Sequence, residues 1–464
     1  MARPNILFIM ADDLGHWSLG CEGNADAITP HIDRLATEGM RLRRFYCASP
    51  VCSPARASLL TGLMPSAHGV ADWIRRGNVD AGGDAAMDYL QGLTGYTLHL
   101  EQAGYTCGLS GKWHLGDSIR PRQGFSHWYA HTAGGGPYYG APMVRDGQCT
   151  REPGYLTDAI TDDAIQFIQE QAGSGRPFYL QVGYTAPHTP WTGGNHPQEY
   201  LDLYKDCSFS SCPIENRHPD QLSYPMFEED RHLMLSGYFA AVTAMDAGIG
   251  RILDTLTQLG IQEDTCVVFT SDNGFNCGHH GIWGKGNGTF PLNVYESSVR
   301  VPFIVRWPAR VPPGRVDDSL IGAYDWFATV LNLAGINSAP TPNISRDFTG
   351  ILTGQPDPRR QEAFVFDEYG ATRMMIAGDY KFIKRYHDGS RLLFNLTEDP
   401  GETRNLMATA PQALTASLEA RMEAWFDAAS TERADARFAS VMGFGQMAPP
   451  GPTGYPQGAF VQGQ

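Results

Sequence analysis

Up to about residue 356, short unbroken apolar runs alternate with segments whose apolar positions recur every three to four residues. The runs PNILFIM, YTCGLS, PFYLQVGY, TCVVFTSD and VPFIVRWP are bounded by turn residues and predict strands buried on both faces. Between them lie helical patterns such as PHIDRLATEG, YLTDAITDDAIQFIQEQ and LMLSGYFAAVTAMDAGIGRILDTLTQLG. Strands alternating with helices predict an α/β fold, a large and mainly parallel sheet sandwiched by helices. From Asp357 the pattern changes: EAFVFDEYGATRMMIAGDYKFIKRYHDGSRLLFNL reads as consecutive hairpin strands, and PQALTASLEARMEAWFDAA as one helix packed on them. The expected division is a catalytic-sized domain over 1–356, a smaller antiparallel sheet plus helix over 357–430, and a tail over 431–464.

That tail ends in MAPPGPTGYPQGAFVQGQ, too rich in Gly, Pro and Gln to pack a core of its own. It predicts a mobile extension or an arm ordered on a partner subunit, and with the latter a homo-oligomer.

In parallel sheets, ligands bind beyond the carboxyl ends of the strands. The residues able to do chemistry fall there: Asp12 and Asp13 after the first strand, Lys112 and His114 after YTCGLS, His188 after PFYLQVGY, Asp272 and Asn273 after TCVVFTS. One carboxylate pair at a strand end is more often a cap or a solvated turn. Two oxygen-rich pairs on one rim suit a hard cation, Ca²⁺ or Mg²⁺, rather than zinc. In PVCSPARASLLTG, Pro54 fits the first turn of a helix and Gly62 the position after its end. Cys52 or Ser53 then occupies the cap region, where free N–H groups favour an anion, and Arg56 reaches back to the same point.

The chain of 464 residues carries a formal net charge of -15. That argues against nucleic acid and anionic membranes as partners, since both reward a basic face. No apolar run reads as a bilayer span, and MARPNILFIMADDLG matches a buried strand better than a secretion signal, so the cytoplasm is the expected location. Nine scattered cysteines do not make a disulfide scaffold; Cys207 and Cys212 are near enough in sequence for a loop disulfide or a weak metal clip, against two ordinary thiols.

Cys52-Ser53-Pro54-Ala55-Arg56, continuing to Thr61-Gly62, resembles the C-x-P-x-R signature of the sulfatases. Gly111-Lys112-Trp113-His114, Pro187-His188, Ser271-Asp272-Asn273-Gly274 and Gly284-Lys285 follow in that family's order, and the resemblance covers all but the tail. It implies that Cys52 is oxidised by separate formylglycine-generating machinery, that the hydrated aldehyde attacks sulfur, and that Ca²⁺ is held by Asp12, Asp13, Asp272, Asn273 and modified residue 52. It further implies that Arg56 orients the nucleophile, that Lys112 and Lys285 contact sulfate, and that His114 acts as a base. His188 would contact sulfate or protonate the leaving oxygen of a small aryl, alkyl or sugar sulfate. His279 and His280 are candidates for the leaving group, His280 the one assigned. Trp73, Arg75 and Arg76, and separately Trp191, are candidates for the outer pocket, each with plain packing or solvation as the alternative.

Two other readings stand beside this one. A phosphonate monoester or phosphodiester hydrolase would use the same nucleophile, but the resemblance leads one to expect His in place of Asn273 and another residue in place of Asp13. A non-catalytic scaffold is the other, should Cys52 stay unmodified.

Overall fold

The computed structural model describes residues 3–79, 86–222, 230–337, 339–358, 360–367 and 371–462. Its first strand, Asn5–Ala11, shows why the apolar run is unbroken. Ile6, Phe8 and Met10 enter one core with Phe303 and Trp326, while Leu7 and Ile9 enter another with the helices Leu156–Ala172 and Arg231–Gln258. Successive side chains point to opposite faces, so both sets must be apolar. The Arg231–Gln258 helix is long and apolar enough to cross a bilayer by composition, contrary to the sequence reading, but 89% of its apolar window is buried inside the molecule.

The main sheet has ten strands, running edge to edge 315–317, 40–42, 303–306, 265–271, 5–11, 178–183, 106–112, 125–131, 139–145 and 148–155. The five from 265–271 to 125–131 are parallel, and antiparallel pairings appear on either side of them. Four adjacent parallel strands, 265–271, 5–11, 178–183 and 106–112, therefore end on one rim. A second sheet of four antiparallel strands, Glu362–Asp367 to Arg391–Asn395, packs Met375, Phe382 and Leu393 against Leu418, Met422 and Phe426 of the Gln412–Ala429 helix. Lys381 of that sheet, fully buried, forms an ion pair with Glu402 at 2.7 Å and reaches Glu296, in the helix Glu296–Val299, at 3.2 Å.

The tail departs from expectation. Thr431 N donates to Ser66 O, and Val441, Ala459 and Phe460 form a small core with Val51, Ala71 and Leu292 of the same chain. It has no core alone, yet it completes one against the main domain. Of the alternatives open for Cys207 and Cys212, the structure has two separate thiols: all nine cysteines are free, and Cys207 Sγ lies 3.6 Å from Asp26 Oδ1.

Candidate active site

Each strand end on the rim delivers what the sequence placed there. Asp12 and Asp13 leave the first strand, and Asp13 turns with φ 66°, a left-handed conformation that non-glycine residues rarely adopt. The turn is held from the neighbouring strand end: Asp13 N donates to Asp272 Oδ1 at 3.2 Å and Leu14 N to Ser271 Oγ at 3.0 Å. The helix Cys52–Thr61 begins at Cys52 itself, with Val51 as its extended N-cap and Gly62 closing it at φ 68°. Ser53 Oγ accepts from Ile74 N at 3.0 Å, which fixes the helix start against the following segment.

Oxygen atoms of Asp12, Asp13 and Asp272 and Cys52 Sγ lie within 4.8 Å of one another, all buried. Cys52 Sγ is 3.2 Å from Asp12 Oδ1 and 2.7 Å from Lys285 Nζ. Three buried carboxylates would be untenable alone. Lys112 meets Asp12 at 2.5 Å, Lys285 meets Asp13 at 2.6 Å and Arg56 Nε meets Asp272 at 2.8 Å, so each carboxylate has its own cation. Burial alone would raise Asp272, but Arg56 and then Lys112 hold it below the ordinary carboxylate range. Burial likewise opposes the charge on Lys285, yet Asp13, then Cys52 and Asp12, hold its pKa well up. The Cys52 thiol is pushed well up by burial first and by Asp12 second, against the pull of Lys112 and Lys285. Asn273 Nδ2 donates to Asp13 Oδ1 at 2.8 Å, while its Oδ1 is buried with no hydrogen-bond partner. An amide oxygen beside three carboxylates, with no donor of its own, fits a hard cation.

A cavity of about 530 Å³ opens above this cluster, with Cys52 and Lys285 among its lining. His114 and His188 stand on its wall. His114 Nε2 lies 3.0 Å from Ile74 O, an acceptor only, so Nε2 carries the proton and Nδ1 is left as a buried lone pair without partner. His188 is turned the other way: Nδ1 donates to Thr189 O at 2.7 Å and Nε2 faces Asp13 Oδ2 at 3.7 Å. Burial first, then Lys112, holds the His114 imidazole well below its usual range.

Trp73 and Arg75 line the cavity. His280 does not: it stacks flat on Tyr295, centroids 3.8 Å apart, and His279 packs on Trp17, so the assignment of His280 to substrate is corrected. Trp191 is also a packing residue, 3% exposed and bonded to Pro187 O. Residues that sequence reasoning missed are Gly134 and Gly135, Asn78, Asn287 and the tail pair Gly443 and Phe444. The run of three glycines at 134–136 was a readable signal: a Cβ at Gly134 would collide with the His114 ring, and one at Gly135 would stand 3.0 Å from His188.

Comparison with known proteins agrees with this geometry. The sulfatase family model matches residues 4–336, and the model for the C-terminal part of N-sulphoglucosamine sulphohydrolase matches 278–427. N-acetylgalactosamine-6-sulfatase of Canis lupus familiaris is 32% identical over 412 residues, covering 82% of this chain and 71% of that protein. Choline-sulfatase of Rhizobium meliloti is 29% identical, covering 93% and 89%. A solved structure of a protein with its substrate D-glucosamine-2-N,6-O-disulfate superposes with a TM-score of 0.77 at 25% identity, covering 92% of this chain and 98% of that one. With a cysteine, four metal-type oxygen ligands and two lysines gathered at the rim, and a family model spanning most of the chain, this protein belongs to the sulfatases, the hydrolases of sulfuric esters.

Proposed function

We propose that the protein hydrolyses the sulfate ester of a sugar, with formylglycine at position 52 as nucleophile and Ca²⁺ held by Asp12, Asp13, Asp272 and Asn273. The observation that carries the reading is the position of Cys52, at the start of a buried helix, between three carboxylates and the Lys285 ammonium at 2.7 Å. Bound there, Ca²⁺ would supply Lewis acidity toward the sulfate and lower the pKa of the nucleophile. As encoded, the buried thiol stays protonated and is a weak nucleophile; oxidation to formylglycine replaces it with a hydrated aldehyde.

The side chains divide the remaining work. Lys112 and Lys285 place two buried cations beside the nucleophile, where charge on the sulfate oxygens grows in the transition state. Arg56 donates to Asp272 and to Lys112 O, so it fixes a metal-type carboxylate and the strand that carries Lys112. His114 presents an unprotonated Nδ1, the form that accepts a proton. His188, with Nδ1 on Thr189 O and Nε2 directed toward Asp13 at the cavity wall, is placed to protonate the leaving oxygen. The cavity exceeds what a sulfate group fills and offers Trp73 and Phe444 beside Asn78 and Arg75, the mixture that suits a sugar ring. The sugar sulfates named for the dog relative and for the solved structure support that class.

The test is a comparison of kcat/KM for N-acetylglucosamine-6-sulfate, 4-nitrophenyl sulfate and a 4-nitrophenyl phosphonate monoester, on protein whose Cys52 peptide mass confirms conversion. Sulfates should be preferred, and a chelator should remove the activity until Ca²⁺ is restored. Preference for the phosphonate would transfer the reading to phosphoryl chemistry.

A further inference from the structure

The tail does more than cover the main domain: it supplies one side of the cavity. Gly443 and Phe444 line it, although they lie some 390 residues from Cys52 in sequence, as their numbers show. The segment is held by polar bonds from the stretch that carries Trp73 and Arg75. Trp73 Nε1 donates to Gly443 O at 3.0 Å, Arg75 Nη1 to Phe444 O at 3.1 Å, and Gly445 N to the buried carboxylate of Asp72 at 3.0 Å. Gln446 is fully buried; its amide oxygen accepts from Ala71 N at 2.9 Å and its amide nitrogen donates to Gly69 O at 2.9 Å. Such a saturated bond set fixes a segment, because breaking it strands buried donors and acceptors. Gly445 permits the approach, with φ 113° and a position where a Cβ would lie 2.7 Å from Arg75 Cβ. The side chains that face the cavity from this pairing are two aromatic rings and a guanidinium, none within the carboxylate–lysine cluster.

We infer that the tail is a specificity element: Phe444, placed on the same cavity as Trp73 and Arg75 by the Gly443–Gln446 strap, forms the wall that binds the sugar ring of the substrate, while the cluster below binds the sulfate. This rests on the sugar-sulfate reading above. The two parts are separable in binding. Aromatic contact with a ring is lost when Phe444 is truncated, whereas the sulfate contacts lie below it.

The experiment measures binding by calorimetry in full-length Cys52→Ala protein loaded with Ca²⁺, using N-acetylglucosamine-6-sulfate and inorganic sulfate as probes. Phe444→Ala should weaken the sugar sulfate about 10-fold and leave inorganic sulfate unchanged. Gly445→Ala, which displaces the strap, should act in the same direction. Phe444 is half-buried at the cavity edge, so thermal melting should change little on its truncation. Equal loss for both probes, or no loss for the sugar sulfate, overturns the wall while leaving the reaction intact. A parent protein that binds inorganic sulfate but not the sugar sulfate overturns the sugar reading and the wall together.

Discussion

Lys285 joins the carboxylate cluster to Cys52. Its ammonium lies 2.6 Å from Asp13 and 2.7 Å from the Cys52 thiol, in a buried site where the Asp13 carboxylate depends on it for its counter-charge. Lys285→Ala should therefore cost kcat/KM by about 10²-fold or more, as for a removed oxyanion donor. Steady-state kinetics on converted enzyme checks this, and Lys285→Arg should recover only part of the loss, since a planar fork cannot fill the place of a compact ammonium. Near-normal activity in Lys285→Ala would remove it from the reaction. Lys285 was legible in sequence only through the family motif, whereas Asp12, Asp13, Asp272 and Asn273 were legible from their strand ends. His280 misled because sequence adjacency to Lys285 says nothing of side-chain direction: it sits at φ 56° and turns onto Tyr295. Phe444 gave no signal, lying in a Gly/Pro-rich stretch with no period to read.

Among elements, the Cys52–Thr61 helix was readable from its ends, Pro54 and Gly62, and not from amphipathicity, because every one of its residues is buried. The join between the C-terminal sheet and the helix Glu296–Val299 was not readable at all. Lys381 lies in a strand whose pattern identifies the hairpin, but nothing in sequence pairs it with Glu296 and Glu402. Lys381→Met would fill the space of the lysine stem and leave both acids facing each other away from water. Breaking a buried pair costs about 3–5 kcal/mol, and denaturant titration should register a loss of that order. Adding Glu402→Gln to Lys381→Met should restore part of it by removing one unpaired charge; no recovery would mean that the stem's packing, not its charge, stabilises this junction.

Across the whole molecule, the layered architecture was legible because both faces of the central strands are buried and their side-chain period is 2. The folded-back tail was not, because its core is borrowed from distant residues such as Val51 and Leu292. Packing of that density also buries imidazoles, and these set an acid limit on stability. Burial is the leading cause that lowers His68 from 6.5 to about 3 and His131 and His196 to about 4. The folded chain thus refuses protons that the unfolded chain takes up below about pH 6.5, so stability falls as pH drops from there toward 4. Asp246, raised to about 7 by burial, has the opposite sign over the same range, and so does Asp72, which burial also raises. His68 separates the contributions. Its Nε2–H donates to Ser58 Oγ of the Cys52–Thr61 helix at 3.0 Å, and its Nδ1 accepts from Val70 N at 3.1 Å, a pairing that exists only for the neutral ring. His68→Gln should lower Tm at pH 7, where that pairing is intact, and the gap to the parent protein should narrow steadily by pH 4.5, because glutamine carries no protonation penalty. A gap that stays constant from pH 7 to 4.5 would mean that His68 is protonated alike in the folded and unfolded chains.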